Sequence, residues 1–199
     1  MNIGFYFINI SMKVGNLMKY IALLRGVNIS GKNKIPMKKL KEALEKDYNN
    51  VLTYLNTGNV IFESDTDSKE TIMKNISEII KNKFDLDIPV FVIREEELED
   101  ILNNNPTWWC TDNKDIYDNL IFIIPPTRCE EVYNIVGEPS KDIDKIGEYN
   151  NVIFWSFDLK NYRKSNYWVK TASTDIKDKI TIRTANTMRK ILEICKRMI

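Results

Sequence analysis

The segment RGVNISGKNKIPM, Arg25 to Met37, holds the residues best suited to chemistry. Gly26 and Gly31-Lys32 carry the spacing of a phosphate-cradling loop. In such a loop glycines let the backbone approach the phosphates, a lysine meets the β and γ phosphates, and a Ser or Thr hydroxyl meets magnesium. Here the hydroxyl position is Asn33, and Pro36 puts the next helix several residues past Lys32, too late for its amides to reach a phosphate held there. A nucleotide hydrolase is therefore a poor fit. A simpler chemistry survives, because Arg25 to Lys41 contains six basic residues and no acidic one. Arg25 can grip a phosphate or carboxylate with two parallel hydrogen bonds, and Lys32 and Lys34 can add point charges. The competing reading is a solvated basic loop, with Lys38, Lys39 and Lys41 on the outer face of the following helix. A second basic segment supports the functional side: Arg183, Arg189, Lys190, Lys196 and Arg197 stand against Glu193 alone between Thr181 and Ile199.

Other chemistries are narrowed by what the chain lacks. It has 199 residues and no histidine, which excludes Ser-His-Asp and Cys-His catalysis, His-ligated zinc and histidine proton shuttling. Cys110, Cys129 and Cys195 lie far apart without a CxxC pair, so neither a disulfide framework nor a zinc knuckle is indicated. Cys129 abuts Glu130-Glu131 and Cys195 sits on an apolar helix face, neither of which favours a thiolate. The acidic run Glu95, Glu96, Glu97, Glu99 and Asp100 has enough carboxylates for magnesium, but consecutive helical positions point apart, so it reads as a solvated connector. Trp108-Trp109 reads as a plug over the core between two halves rather than an exposed clamp. No metal site is expected, and no cofactor can be named.

These candidates hang on elements that hydrophobic periodicity places. YIALLR ending in Gly-Val-Asn predicts a strand from Lys19, and Met37, Leu40 and Leu44 predict a helix behind Pro36. Val51 to Tyr54 and Asn59 to Glu63 read as strands joined by Asn-Thr-Gly, and Asp67-Ser-Lys-Glu opens a helix through Phe84 with Ile72, Ile76, Ile79 and Ile80 on one face. A strand at Ile88 to Ile93 closes the order βαββαβ. After the acidic stretch Arg94 to Asn105 the order repeats. Leu120 to Pro125 is a strand, Thr127 to Val136 a helix, and Lys145 to Asn150 and Val152 to Phe157 are strands. Tyr162 to Thr171 is a weaker helix, Lys179 to Arg183 a strand, and Thr187 to Met198 the last helix. The fold class is α+β, two ferredoxin-like βαββαβ halves with antiparallel sheets joined by a helical connector. Residues 18–94 form the first half, 95–118 the connector and 119–199 the second half. RNA-recognition modules share this topology and stack bases on an exposed sheet face. LIFII and VIFWSF are continuous apolar runs, however, so both faces are covered and Phe122, Phe154 and Trp155 belong to the core.

LLRGVNISGKNKIPM, TYLNTGNVIFES and TIRTANTMRKILEI together resemble the bacterial domain-of-unknown-function 1697 family, from about Met18 to Met198. Its members open with LRGVN, pass a Gly-Lys-x-Lys-x-Pro-Met turn, carry Ser-Gly-Asn-Val between the next two strands and close with Thr-x-Arg-Asn-x-Asn-Thr. The resemblance implies a compact cytoplasmic bacterial protein of two α+β halves and supplies no activity, substrate or cofactor. It carries onto Arg25, Gly26, Asn28, Gly31, Lys32 and Lys34, then Gly58 and Asn59, then Arg183, Asn186 and Thr187. Thr57 stands where the family usually has Ser and Thr184 where it usually has Asn; the second change removes an amide. Turn and cap duty competes for several of these, since Gly26-x-Asn28 and Gly58-Asn59 suit turns and Asn186-Thr187 suits a helix N-cap. Arg25, Lys32, Lys34 and Arg183 have no such local duty.

The candidate ligand-binding set is thus Arg25, Asn28, Lys32, Lys34, Asn59, Arg183 and Asn186. The expected function is binding of a phosphate-bearing ligand, a nucleotide or RNA, through the loop after the first strand. The alternatives are an enzyme acting on such a ligand or a protein-interaction module. With 29 basic and 28 acidic residues the chain has no bulk attraction for nucleic acid. No run reaches the 18 or so apolar residues of a membrane span, and cysteine usage points to the cytosol. The stretch MNIGFYFINI lacks the flanks of a secretion signal, so residues 1–17 read as a non-native or disordered extension ahead of a start at Met18.

Overall fold

In the computed structural model the described residues are 17–111 and 113–198, so the expectation for residues 1–17 falls almost wholly outside them. The first half comprises β1 (Met18–Leu24), α1 (Met37–Leu44), β2 (Asn49–Tyr54), β3 (Asn59–Ser64), α2 (Lys69–Phe84) and β4 (Val90–Arg94), followed by α3 (Glu95–Asn103). The second comprises β5 (Ile116–Ile123), α4 (Cys129–Val136), β6 (Asp144–Tyr149), β7 (Val152–Asp158), α5 (Asn166–Ser173) and β8 (Ile180–Thr184), followed by α6 (Ala185–Arg197). Two 3-10 turns, Leu159–Lys164 and Asp175–Asp178, flank α5. Each half folds into a four-stranded antiparallel sheet, ordered β2-β3-β1-β4 and β6-β7-β5-β8, so the ferredoxin-like arrangement occurs twice.

Alternation along the strands sorts the core into three layers. Tyr20, Ala22, Leu24 and Phe62 face α1 and α2, which contribute Leu40, Leu44, Ile72, Ile76 and Ile80. Ile121, Ile123, Trp155 and Phe157 face α4 and α5. Between the sheets, Ile21, Leu23 and Ile61 of one meet Leu120, Phe122 and Phe154 of the other, with Leu98, Ile101, Met188 and Ile191 from α3 and α6. Both sheets are therefore covered on both faces, which is why their strands read as unbroken apolar runs. Trp109 completes the middle layer at 2% exposure, its Nε1 donating to the Asn119 carbonyl at 3.1 Å.

Local chemistry sets the helix ends. Ser68 accepts from Thr71 N to cap α2, and Asp85 in the left-handed region closes it. α3 is more than the solvated connector its acidic sequence suggests. Leu98 and Ile101 are buried, Glu97 accepts from Arg94 N at 3.0 Å in a capping box, and Glu97 also pairs with Lys69 at 2.6 Å. Carboxylates favour a helix N-terminus, which accounts for Glu95, Glu96 and Glu97 in the first turn. Lys19 Nζ donates to the carbonyls of Cys195 and Met198 at 2.9 and 2.8 Å, closing the far end of α6. The helix expected from Tyr162 to Thr171 is broken instead. Ser165 stays extended, accepts from Trp168 N and donates to buried Asp144, so α5 starts only at Asn166. Similarly α6 is capped by Thr184, whose hydroxyl accepts from Thr187 N, rather than by Asn186-Thr187.

Candidate anion-binding loop and the arginine seam

Twelve residues, 25–36, connect β1 to α1, and side-chain amides hold them in shape. Asn28 Nδ2 donates to the carbonyls of Ile35 at 2.8 Å and Asn56 at 2.7 Å, while its Oδ1 accepts from Ile35 N at 2.9 Å. Asn33 Nδ2 donates to the Gly26 carbonyl at 3.1 Å. Asn28, Ser30 and Asn33 all have positive φ, as do Gly26 and Gly31, a backbone path that Asn and Gly tolerate best. Val27 and Ile35 are buried anchors, whereas Ile29, Ser30, Gly31, Lys32 and Lys34 are exposed. Pro36 caps α1 without a side-chain hydrogen bond and the helix starts at Met37, so its N-terminal amides do not follow Lys32 directly. This geometry differs from the phosphate loop of nucleotide hydrolases, as the sequence indicates.

Beneath the loop the two halves are tied by Arg183, which is 9% exposed. Its Nε donates to Asn59 Oδ1 at 2.5 Å, and its Nη1 to Thr181 Oγ1 and the Ile182 carbonyl, both at 2.8 Å. Its Nη2 reaches the Leu24 carbonyl at 2.8 Å, that of Thr57 at 3.1 Å and that of Gly58 at 3.4 Å. Asn59 is fully buried and turns its Nδ2 to the Tyr54 carbonyl at 3.0 Å. Gly58 is forced by space: its φ is +77°, and a Cβ there would lie 2.7 Å from Leu24 Cβ. Arg25 meets the same seam from above, donating from Nε to the Lys177 carbonyl at 2.7 Å.

The first-loop residues Arg25 and Asn28, the β2–β3 hairpin with Asn59, and Arg183 therefore converge. Lys32 and Lys34 project from the same loop into solvent. Asn186 does not join them. It is exposed at the start of α6 and lines a separate cavity of about 490 Å³ with Asp118 and Cys110.

Residues 17–154 match the family described as a protein of unknown function, DUF1697. The chain belongs to that family. A conserved bacterial protein from Streptococcus pneumoniae is similar in structure, with a TM-score of 0.78 and 26% sequence identity over 90% of this chain and 99% of that chain. No curated protein matches. The DUF1697 match takes in the first two motifs, runs through β5 and β6 of the second sheet and stops at the start of β7, before Arg183, whereas the structural likeness covers 90% of the chain. No helix among the described residues of this DUF1697 chain is long and apolar enough to cross a membrane.

The electrostatics of the seam are one-sided. Burial and the neighbouring Arg25 guanidinium lower the pKa of Arg183. Burial lowers that of Arg25 too, partly offset by Asp178. Among the described residues Arg25, Lys32, Lys34 and Arg183 form no ion pair with a carboxylate. The six bonds of Arg183 go to neutral oxygens, which satisfy its donors but leave its charge uncompensated. Thiol chemistry is disfavoured, because burial pushes both Cys129 and Cys195 up to about 12, and Cys110 is raised by burial as well.

Sequence reasoning missed one group. Tyr117, Leu159, Trp168 and Val169 are exposed large apolar residues on the second half. Their signal was present in LKNYRKSNYWVKTAST, Leu159 to Thr174, which has four basic residues and three aromatics but no carboxylate. The helical reading of that stretch hid it.

Proposed function

We propose that the chain binds a phosphate-bearing ligand, a nucleotide or a segment of RNA, at the loop presenting Arg25, Lys32 and Lys34. The observation that carries this reading is the pair of guanidinium groups at the seam, neither of which forms an ion pair with a carboxylate among the described residues. Arg183 is buried without a carboxylate, Arg25 lies close enough to depress its pKa, and the lysines above them are unpaired. A buried cation without a counter-charge is costly, and an incoming anion lowers that cost. Arg25 keeps its Nη groups for such a ligand, since its hydrogen bond to Lys177 uses Nε only. Arg183, Asn28 and Asn59 act from behind in this reading, holding the loop and hairpin in place rather than touching the ligand.

A thermal-shift titration of the full chain with inorganic phosphate, pyrophosphate, nucleoside monophosphates and nucleoside triphosphates tests the reading. A ligand selective for the native state at about 100 times its Kd adds roughly 2.7 kcal/mol of apparent stability. The expected result is a concentration-dependent rise for at least one of these anions, abolished in Lys32→Ala/Lys34→Ala and in Arg25→Ala. Identical melting curves with every anion, or a rise that survives both variants, would rule the loop out.

A further inference from the structure

We propose a second binding face, independent of the loop: the first 3-10 turn and the start of α5 bind single-stranded RNA, with bases stacked on Trp168 and Tyr162 and phosphates held by Arg163 and Lys164. The platform is already built. The Trp168 ring lies 5.1 Å from Tyr162 in an edge-on arrangement and 5.5 Å from Phe157, which also packs against Tyr117 at 5.4 Å. Phe157 is 1% exposed and anchors the group in the core, while Trp168 is 42% exposed and Tyr117 39%. Rings fixed by such packing lose little freedom on binding, which favours a stacking surface.

Charge selects the occupant. Arg163 lies over the Tyr162 ring at 5.5 Å and donates from Nε to its hydroxyl at 3.0 Å, so the guanidinium is oriented beside the aromatic face. Neither Arg163 nor Lys164 forms an ion pair among the described residues, whereas Lys160 is held by Asp115 at 2.9 Å and Lys170 by the Val136 carbonyl at 2.8 Å. The nearby carboxylate of Asp158 is occupied in capping the 3-10 turn, accepting from Lys160 N and from Asn161 Nδ2. Two unpaired cations beside the exposed ring of Trp168 and the half-buried ring of Tyr162 match a strand whose bases are unstacked, and a duplex hides those faces. Asn161 Oδ1 accepts no hydrogen bond from the described residues and offers an acceptor for a 2′-hydroxyl, which marks RNA over DNA.

The test is fluorescence anisotropy of the full chain with a labelled 15-nucleotide oligouridylate, read against oligothymidylate, an RNA duplex and polyglutamate over a range of salt. Trp168→Ala is expected to weaken oligouridylate binding about 5- to 150-fold, the range for loss of one base stack. Trp168→Phe should retain most of it, and unchanged melting temperatures show that the exposed site tolerates both. Arg163→Gln/Lys164→Gln should reduce the slope of log K against log salt by about 1.4, roughly 0.7 for each phosphate that is no longer neutralised. The proposal is overturned if oligouridylate does not bind at low salt or if Trp168→Ala binds like the parent. Oligothymidylate or duplex binding as tight as oligouridylate, or a preference for polyglutamate, overturns it equally. Should Lys32→Ala/Lys34→Ala abolish binding while Trp168→Ala leaves it intact, RNA belongs to the loop and not to this face.

Discussion

The two halves share one topology and differ where each is elaborated. In the first, twelve residues join β1 to α1; in the second, five join β5 to α4. The crossover to the last strand reverses this contrast: the first half uses the single 16-residue helix α2, whereas the second breaks into a 3-10 turn, α5 and another 3-10 turn. The seam is asymmetric too. Ile93 pairs with Ile21 in the first sheet and Arg183 pairs with Leu120 in the second, at corresponding registers, so one β-edge offers the interior an isoleucine and the other a guanidinium. A scaffold used twice with these departures separates what the fold needs from what is grafted onto it. Cations and exposed rings gather at the departures.

The largest test of that asymmetry replaces Arg183 with the aliphatic side chain of its counterpart. Arg183→Ile removes a buried charge, which helps, but strands Asn59 Oδ1, Thr181 Oγ1 and the carbonyls of Leu24 and Thr57. Each buried acceptor left without a donor costs about 1–3 kcal/mol, so a net loss on the order of 3 kcal/mol is expected. Urea denaturation followed by circular dichroism measures it. A variant as stable as the parent would mean that the guanidinium is retained for its charge and not for holding the halves together.

Asn28→Ala is the next largest, with an expected loss of about 2 kcal/mol for three hydrogen bonds to the chain, each worth roughly 0.5–1.5. Asn28→Gly keeps the positive φ without the side chain and should lose less, which separates backbone strain from the amide clamp. Among the described residues Asn28 does not bond to the counterpart loop after β5, so hydrogen exchange in Asn28→Ala should quicken around residues 25–36 and leave residues 124–128 unchanged.

These two residues also mark where sequence reading succeeds and fails. The doubled βαββαβ order was legible because isoleucine spacing in α2 and the unbroken apolar runs of β5 and β7 are local patterns that burial enforces. The backbone-holding role of Asn28 and Asn59 was legible as an alternative, because Asn beside a turn glycine commonly adopts positive φ, as Asn28 does, or hydrogen-bonds the nearby backbone, as Asn59 does with the Tyr54 carbonyl. What Arg183 does was not legible. Its partners Leu24, Thr57, Gly58 and Asn59 lie more than a hundred residues away in sequence, and only the stacking of the two sheets brings them together. The break at Ser165 was equally hidden, since it depends on Asp144, another distant partner.

Alkaline titration sharpens the contrast between halves with a smaller effect. Burial raises Cys129 and Cys195 to about 12 and also raises Tyr133 and Tyr167, all in the second half, against Tyr48 in the first. A thiol whose folded pKa exceeds its unfolded value near 9 stays protonated longer in the native state. Its contribution is therefore fully present below pH 9 and is lost as pH rises toward 12. Stability should fall through that window, with native-state thiol labelling accelerating at the same time. Cys129→Ser/Cys195→Ser should flatten the dependence between pH 9 and 10. A fall unchanged in that variant would assign the alkaline sensitivity to the phenols instead.

The smallest expected effect concerns Thr184, where the family motif usually carries Asn. β4 and β8 each hand over directly to a helix, so Arg94 and Thr184 occupy matching cap positions at the starts of α3 and α6. Thr184 has an extended backbone, φ −69° and ψ 151°, and its hydroxyl accepts from Thr187 N at 3.2 Å. Asn fits the same cap and ranks slightly above Thr there, so Thr184→Asn should raise stability by only a few tenths of a kcal/mol. Thr184→Ala should cost about 1 kcal/mol, the usual value of a missing N-cap. The pair of variants separates two meanings of the departure from the motif. If Asn is neutral or better and Ala is worse, the position is a cap in either form and the missing amide has no bearing on ligand binding. If Thr184→Asn instead changes the anion response at the loop while leaving stability alone, the amide belongs to the seam, and the third motif contributes more than Arg183 to it.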